Sequence, residues 1–391
     1  MQTAVAPGFY TSRFWLLTSS SFLFFASFNM LVPELPGYLS RMGGAEYKGH
    51  IIALFTITAG ISRPFSGILT DKIGRVPVMA IGSLVCVVCG LLYPLLTTVL
   101  PFLLLRLAHG FSTGFKPTGT AAYIADIVPP QRRGEALGIH GLCSSLGAAI
   151  SPACGSWLAQ AYSINTMFLA SALLALLSVV ILLNLRETLP SPRKFSPGML
   201  RLSRRDLFEP AVLAPSVVIF LNYFSFGAVA TLTPDFSAYL GFSNLGLFFL
   251  VSTLASLISR FVAGRASDRY GRLPAATAGS FLMVAAMIVT AHAGTGAVFL
   301  GGGFLYGISM GILSPVLSAW TVDLSNDQNR GRALSTMYLA LEAGIGTGAW
   351  LSAFLFANQF QNLKLAFLVN AFLAAAAAVY CVVLRYKKEL S

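Results

Sequence analysis

Residues 61–75 read ISRPFSGILTDKIGR, and residues 258–272 read ISRFVAGRASDRYGR. The stretches lie 197 positions apart and share Ile61/Ile258, Ser62/Ser259, Arg63/Arg260, Gly67/Gly264, Asp71/Asp268, Gly74/Gly271 and Arg75/Arg272 without a gap. The register holds further along the chain, at Gly110/Gly307, Gly114/Gly311, Asp126/Asp323, Arg133/Arg330 and Gly134/Gly331. A chain that restates itself at half its length is built from two equivalent units. In a mostly apolar chain those units are two membrane halves.

The composition fits that reading. Hydrophobic residues make up 56% of the 391 positions and charged residues 10%, against about 25% charged in a soluble domain. Mean hydropathy is +0.75. A bilayer span takes roughly 20 apolar residues, so spans are expected near 14–37, 50–70, 77–98, 101–126, 134–157, 164–186, 210–233, 243–266, 274–293, 297–323, 332–357 and 364–385. Helices are expected, because an open strand leaves unpaired backbone groups in lipid. A barrel would show alternating segments of roughly ten residues rather than continuous runs. The run from Phe14 to Pro36 lacks a charged start and a small-residue cleavage site, and reads as a retained first span.

The net charge of +12 is scattered over short loops, which excludes a nucleic-acid face. Nineteen of the 26 Lys and Arg residues fall on the tails and even-numbered loops, and three (Arg41, Lys48, Lys364) on the others. The remaining four, Arg63, Arg106, Lys116 and Arg260, lie inside spans. This bias places both termini in the cytoplasm. Residues 187–209 form the long polar connection, with Pro190, Pro192 and Pro197, and read as a linker whose cations can rest on anionic headgroups. Cys86, Cys89, Cys143, Cys154 and Cys381 all fall in apolar segments. Cys86 and Cys89 read as buried packing residues rather than a redox or metal pair.

The repeated motif sits between spans 2 and 3 and again between spans 8 and 9. Gly67 and Gly264 are expected to let helices approach closely, and Gly74 and Gly271 to permit a tight turn. Asp71 and Asp268 stand at helix C-terminal ends, where an anion is unfavourable. Each therefore needs a cation, from Arg133, Arg330 or a motif arginine such as Arg75 or Arg272. Asp126 and Asp323 end spans 4 and 10 and are expected to pair with loop arginines. Arg63 and Arg260, two turns before the aspartates, read as snorkelling structural partners.

The doubled loop resembles the signature of the major facilitator superfamily, and the resemblance covers essentially the whole chain. Thr70 and Ser267 stand where that family often has alanine. The resemblance implies two pseudo-symmetric six-helix bundles, here residues 1–186 and 210–391. It also implies a central cavity at the midplane and rocking of one bundle against the other.

Span 4 contains LLLRLAHGFSTG, residues 103–114. Arg106 with Gly110 resembles the fourth-helix motif of drug and organic-solute antiporters, where the arginine is linked to proton transfer; His109 replaces the amide often found there. At 100° per residue, Arg106, His109, Gly110, Thr113, Lys116, Pro117 and Thr120 share a 120° arc. A stripe with two cations in an apolar span is expected to face a cavity, because a charge facing lipid is costly. The alternative is helix–helix glue, with Arg106 bonded to carbonyls. Span 5 reads GLCSSLGAAISPACGS, residues 141–156. Gly147, Ser151, Pro152 and Gly155 resemble the Gly-Pro fifth-helix motif of antiporters, with Ser151 in place of a glycine. Span 1 carries LVPELPGY, residues 31–38, whose paired prolines also resemble the drug-antiporter branch.

Glu342 lies mid-span in span 11, sharing a face with Tyr338 and Ser335. Desolvation disfavours a charged carboxylate, which makes Glu342 the leading proton-coupling candidate, ahead of Arg106, Glu34 and His109. The competing view pairs it permanently with Lys116 or Arg106. Asn29, His140, Ser144, Asn222, Phe226, Tyr306 and Met310 complete the set of cavity candidates. No Walker-type GxxxxGK[ST] is present, and neither a hydrolytic nor a metal cluster is visible, so no enzyme activity and no cofactor are expected.

The expected protein is a monomeric integral membrane transporter of a bacterial inner membrane. It uses alternating access to export a small organic or drug-like solute against protons; the alternative is proton-coupled import of an organic anion or sugar. Where the halves differ is where substrate and proton are sought: Arg106 stands opposite Gly303, Lys116 opposite Leu313, Pro152 opposite Ala349, and Glu342 opposite Ser145.

Overall fold

The structure, a computed structural model, describes residues 10–129, 132–200, 208–325 and 330–390. Among them it contains fourteen α-helices and no strand: α1 (Ser12–Asn29), α2 (Leu35–Arg41), α3 (Lys48–Lys72), α4 (Arg75–Leu92), α5 (Val99–His109), α6 (Phe111–Ile127), α7 (Arg133–Ala161), α8 (Ile164–Leu183), α9 (Leu213–Tyr239), α10 (Leu247–Tyr270), α11 (Arg272–Ala291), α12 (Gly296–Asp323), α13 (Arg330–Phe356) and α14 (Leu363–Leu390).

Among the described residues nine helical segments are long and apolar enough to cross a membrane. Three further spans complete twelve. The first is α1 plus α2, broken by a turn at Met30–Glu34 where Pro33 removes a backbone donor, with Pro36 in the first turn of α2. The second is α5 plus α6, interrupted at Gly110. The third is α10, apolar over Leu247–Arg260 before the charged motif begins. The seventh span runs to Tyr239 rather than 233, and the eighth starts at Leu247 rather than 243. Pro234 lies inside α9, and the turn comes at Gly241, with φ +80°.

The repeat in sequence is a repeat of contacts. α3 crosses the fourth span at Gly110 and Gly114, where a Cβ would strike the Phe55 carbonyl, the Ala59 carbonyl and the Ser62 hydroxyl. α10 crosses α12 at Gly307 and Gly311, where a Cβ would strike the carbonyls of Ser252 and Ser256 and the hydroxyl of Ser259. The struck residues, 55/252, 59/256 and 62/259, are themselves 197 apart. Small residues at such crossings let backbones touch and gain dispersion contacts that lipid does not supply.

Gly67 does not have the role expected of it: among the described residues nothing lies within 4 Å of a Cβ built there. The close approach belongs to residues two turns back along α3, because the face carrying Gly67 points away from the crossing. Gly67→Ala should therefore be neutral, or stabilising by up to about 1 kcal/mol from helix propensity. A thermal melt of the purified variant checks this, and a clear drop in Tm would place a neighbour against that face. Gly264 has its side-chain surroundings outside the described residues. Gly74 and Gly271 both lie at positive φ, +120° and +95°, and there the chain turns between α3 and α4 and between α10 and α11.

Two pseudo-symmetric six-helix bundles result, and they meet along α3–α13 and α7–α10. The polar contacts that join them begin at the rim opposite the chain termini. Lys48 donates to both carboxylate oxygens of Asp235 at 2.8 Å, Asn244 donates to the Ala153 carbonyl at 3.0 Å, and Asn358 donates to the Ala45 carbonyl at 3.0 Å. The Leu245 amide donates to the Ser156 hydroxyl, and the Gln160 amide to the Ser243 carbonyl. Gly49 admits Ala349 and Ala353 against the α3 backbone at the same level. Cys86, Cys89 and Cys381 are buried, whereas Cys154 is exposed rather than packed inside, because its face of α7 points outward.

Candidate functional site

About two-thirds of the way along α3 from that rim, Arg63 reaches across to the other bundle. Its Nη2 lies 2.7 Å from Oε1 of Glu342 on α13, and its guanidinium lies 4.5 Å from the ring centre of Tyr338. Glu342 is 7% exposed. Arg63 thus does not snorkel to a surface; it points inward and ties the bundles together in mid-span. Nor is Glu342 paired with Lys116 or Arg106. Its partner is 279 positions away in the chain, a contact set by how α3 and α13 cross.

The joint between α7 and α10 occupies the repeat-related place. Here Nη1 of Arg260 donates to the Ser145 hydroxyl at 3.3 Å. One joint therefore holds an ion pair and the other a single long hydrogen bond from a cation to a neutral group.

The span-4 stripe does not open onto a cleft; each cationic member is packed within the first bundle. Arg106 is 2% exposed, donates to the Ile51 carbonyl (3.1 Å) and the Tyr93 hydroxyl (3.2 Å), and covers the Phe55 ring. His109 meets Tyr93 through Nδ1 at 3.1 Å. Lys116 is fully buried and donates to the hydroxyls of Ser20 on α1 (2.6 Å) and Ser178 on α8 (3.0 Å). Those serines direct their own protons to each other's backbone carbonyls, so their lone pairs face the ammonium. Thr113 turns back to the Gly110 carbonyl, and Thr120 to that of Lys116. Room for this polar core comes from small residues on the facing helices: a Cβ at Gly82 of α4 would collide with the Lys116 backbone.

The other candidates scatter. Asn29 bonds back to the Phe25 carbonyl. Asn222 is fully buried against Ser280 of α11, inside the second bundle. Tyr306 and Met310 are buried, with Tyr306 against Phe248. Phe226 is exposed and stacks on Tyr223. His140 contacts Ser144 one turn along α7. Glu34 accepts a 2.7 Å hydrogen bond from Ser156 near the far rim.

The charged motif forms the same device twice, within each bundle rather than between them. Arg75 donates through Nε to Asp126 (2.9 Å), bonds the Thr70 carbonyl and lies 3.4 Å from Asp71. Arg272 donates through Nε to Asp323 (2.7 Å), bonds the Ser267 hydroxyl and lies 2.5 Å from Asp268. Arg133 is exposed and among the described residues pairs with neither aspartate; the motif arginines sit closer because the tight glycine turn folds them back. The side chain of Arg330 lies outside the described residues. Sequence reasoning missed Glu187, whose carboxylate accepts the Arg75, Val76 and Leu189 amides and so caps the start of α4. It also missed Lys48–Asp235. The shared 197 offset of Arg63/Arg260 and Ser145/Glu342 was the signal that could have found the two joints.

Comparison with known proteins gives a consistent result. The model of the family described as Major Facilitator Superfamily matches residues 17–243 and 215–390. Multidrug resistance protein 1 of Bacillus subtilis (strain 168) is 27% identical over 218 residues, 56% of each chain. The match thus spans little more than half of that relative's length. Multidrug resistance protein MdtG of Klebsiella pneumoniae (strain 342) is 27% identical over 379 residues, 92% of this chain and 90% of that one. Among solved structures, a D-xylose–proton symporter superposes with a TM-score of 0.78 at 17% identity, covering 94% of this chain and 96% of the other.

Proposed function

This chain belongs to the major facilitator superfamily, and on that premise we propose that it is a proton-coupled secondary transporter that exports a small organic, drug-like solute. The bundles are residues 1–186 and 210–391, joined by the linker 187–209, and both termini face the cytoplasm of a bacterial inner membrane. The names of the relatives support efflux. The observation that carries the mechanism is the Arg63–Glu342 pair, which spans the interface at mid-depth.

Arginine stays protonated in proteins, so a proton arriving at this pair goes to Glu342. The neutral carboxyl no longer attracts the guanidinium electrostatically, and the tie between α3 and α13 weakens. Proton binding is thereby converted into freedom of one bundle relative to the other. The Lys48–Asp235 rim is the closed side in this conformer, so the binding space is reached from the side of the termini. Arg75–Asp126 and Arg272–Asp323 hold each bundle rigid while it moves.

The test is dye accumulation in inside-out vesicles containing the purified protein. An acid interior should drive uptake of a fluorescent drug-like dye, and dissipating the gradient with nigericin should abolish it. Uptake driven instead by acid outside right-side-out vesicles would turn the reading to proton-coupled import.

A further inference from the structure

The two interbundle joints are equivalent by sequence register yet unequal in charge. Positions 63 and 260 both carry arginine, but their partners, 342 and 145, carry glutamate and serine. Arg63 is neutralised at 2.7 Å, whereas among the described residues Arg260 meets the Ser145 hydroxyl at 3.3 Å. Among the described residues no carboxylate lies within ion-pair distance of Arg260, and its Nε is buried without a hydrogen-bond partner. A guanidinium cannot shed its proton to escape this cost. An uncompensated charge in a low-dielectric interior is unfavourable. Arg260, half-buried and with an unpartnered Nε such as Arg63 also has, therefore keeps capacity for a negative charge from outside the chain.

The surroundings say what kind of molecule would bring it. Tyr223 of α9 is buried and lies near Arg260. Phe226, exposed, stacks on Tyr223 with ring centres 6.2 Å apart. The cation and the aromatic residues therefore lie near one another where α10 meets α7.

We propose that Arg260 is a specificity-determining residue. Its guanidinium binds the oxyanion headgroup of a monoanionic organic solute with an aromatic body, filling at the second joint the place that Glu342 fills at the first. This rests on the reading of the chain as a transporter of small organic solutes and names the class of solute. A bidentate guanidinium–oxyanion bond is strong and directional, and the aromatic faces accept the solute's ring.

The test supplies the missing carboxylate from within. Thermal unfolding of the purified protein is followed with 2-naphthoate and, as the matched neutral probe, 2-naphthamide. Wild type and Ser145→Thr should be stabilised by naphthoate and much less by naphthamide. Ser145→Glu should unfold at a higher temperature without any probe and should bind naphthoate at least about tenfold more weakly, since the charged pair is already satisfied. The double variant Ser145→Glu/Glu342→Ser, of unchanged net charge, frees Arg63 instead and should regain naphthoate binding, which separates a charge effect from misfolding. Equal stabilisation of wild type by both probes, or undiminished naphthoate binding by Ser145→Glu, overturns the proposal. These are binding measurements. A protein that binds naphthoate selectively but moves no dye in vesicles would sink the transport reading alone, and one that moves dyes without charge preference would sink only this one.

Discussion

Glu342→Ala should lower the stability of the protein by about 3–5 kcal/mol, because it strands a guanidinium in a buried interface. Arg63 would retain the Tyr338 ring beneath it but lose its counter-charge. The double variant Arg63→Met/Glu342→Leu should recover most of that loss, since apolar side chains of similar size often replace a buried pair without penalty. Glu342→Gln keeps the shape and removes the proton site. Gradient-driven accumulation should fall to the leak level, while solute-for-solute exchange, which moves no net proton, should persist. Melting curves and the two vesicle assays check these outcomes together. Full accumulation by Glu342→Gln would move the proton to another group, Glu34 or His109 first.

Gly114→Leu should yield no folded protein. A Cβ alone at this position already overlaps the Ser62 hydroxyl and the Ala59 carbonyl, and the carbonyl belongs to the α3 backbone, which cannot rotate out of the way. Overpacking costs about 1–3 kcal/mol when side chains can shift, and more when they cannot. Gly311→Leu should fail in the same way against Ser256 and Ser259. Fluorescence-detected size-exclusion chromatography of tagged variants reads the result, with Gly67→Ala as the tolerated control. A monodisperse peak for Gly114→Leu would mean that α3 and the fourth span can separate without loss of the fold.

Much of the architecture was legible because it depends on local chemistry. Apolar run length marked the spans, and the doubled motif marked their pairing into halves. The turn glycines were readable because only a few residues accept positive φ. What sequence could not supply was the rotation of each helix about its own axis. That rotation turns Gly67 to open space and Gly114 into a crossing. It also turns the Arg106–Lys116 stripe towards Tyr93, Ser20 and Ser178 rather than into a cleft. Periodicity establishes that polar residues share a face, but which neighbour meets that face depends on tilt and packing. The same limit hid the partner of Glu342. A carboxylate mid-span announces that a cation is near, yet Arg106 and Lys116 both satisfied that requirement, and Arg63 became the partner only once the crossing of α3 with α13 was known.

The inequality of the two joints also bears on how the bundles move. At mid-depth the bundles are held on one side by an ion pair and on the other by one long hydrogen bond from a cation to a hydroxyl, while the rim contacts join both seams. Once the rim contacts part, the rocking proposed above is expected to pivot towards the ion pair, along α3 and α13, and to open wider on the seam between α7 and α10. The passage would then be eccentric, a hinged leaf rather than a pair of opening jaws, with its free edge beside Arg260.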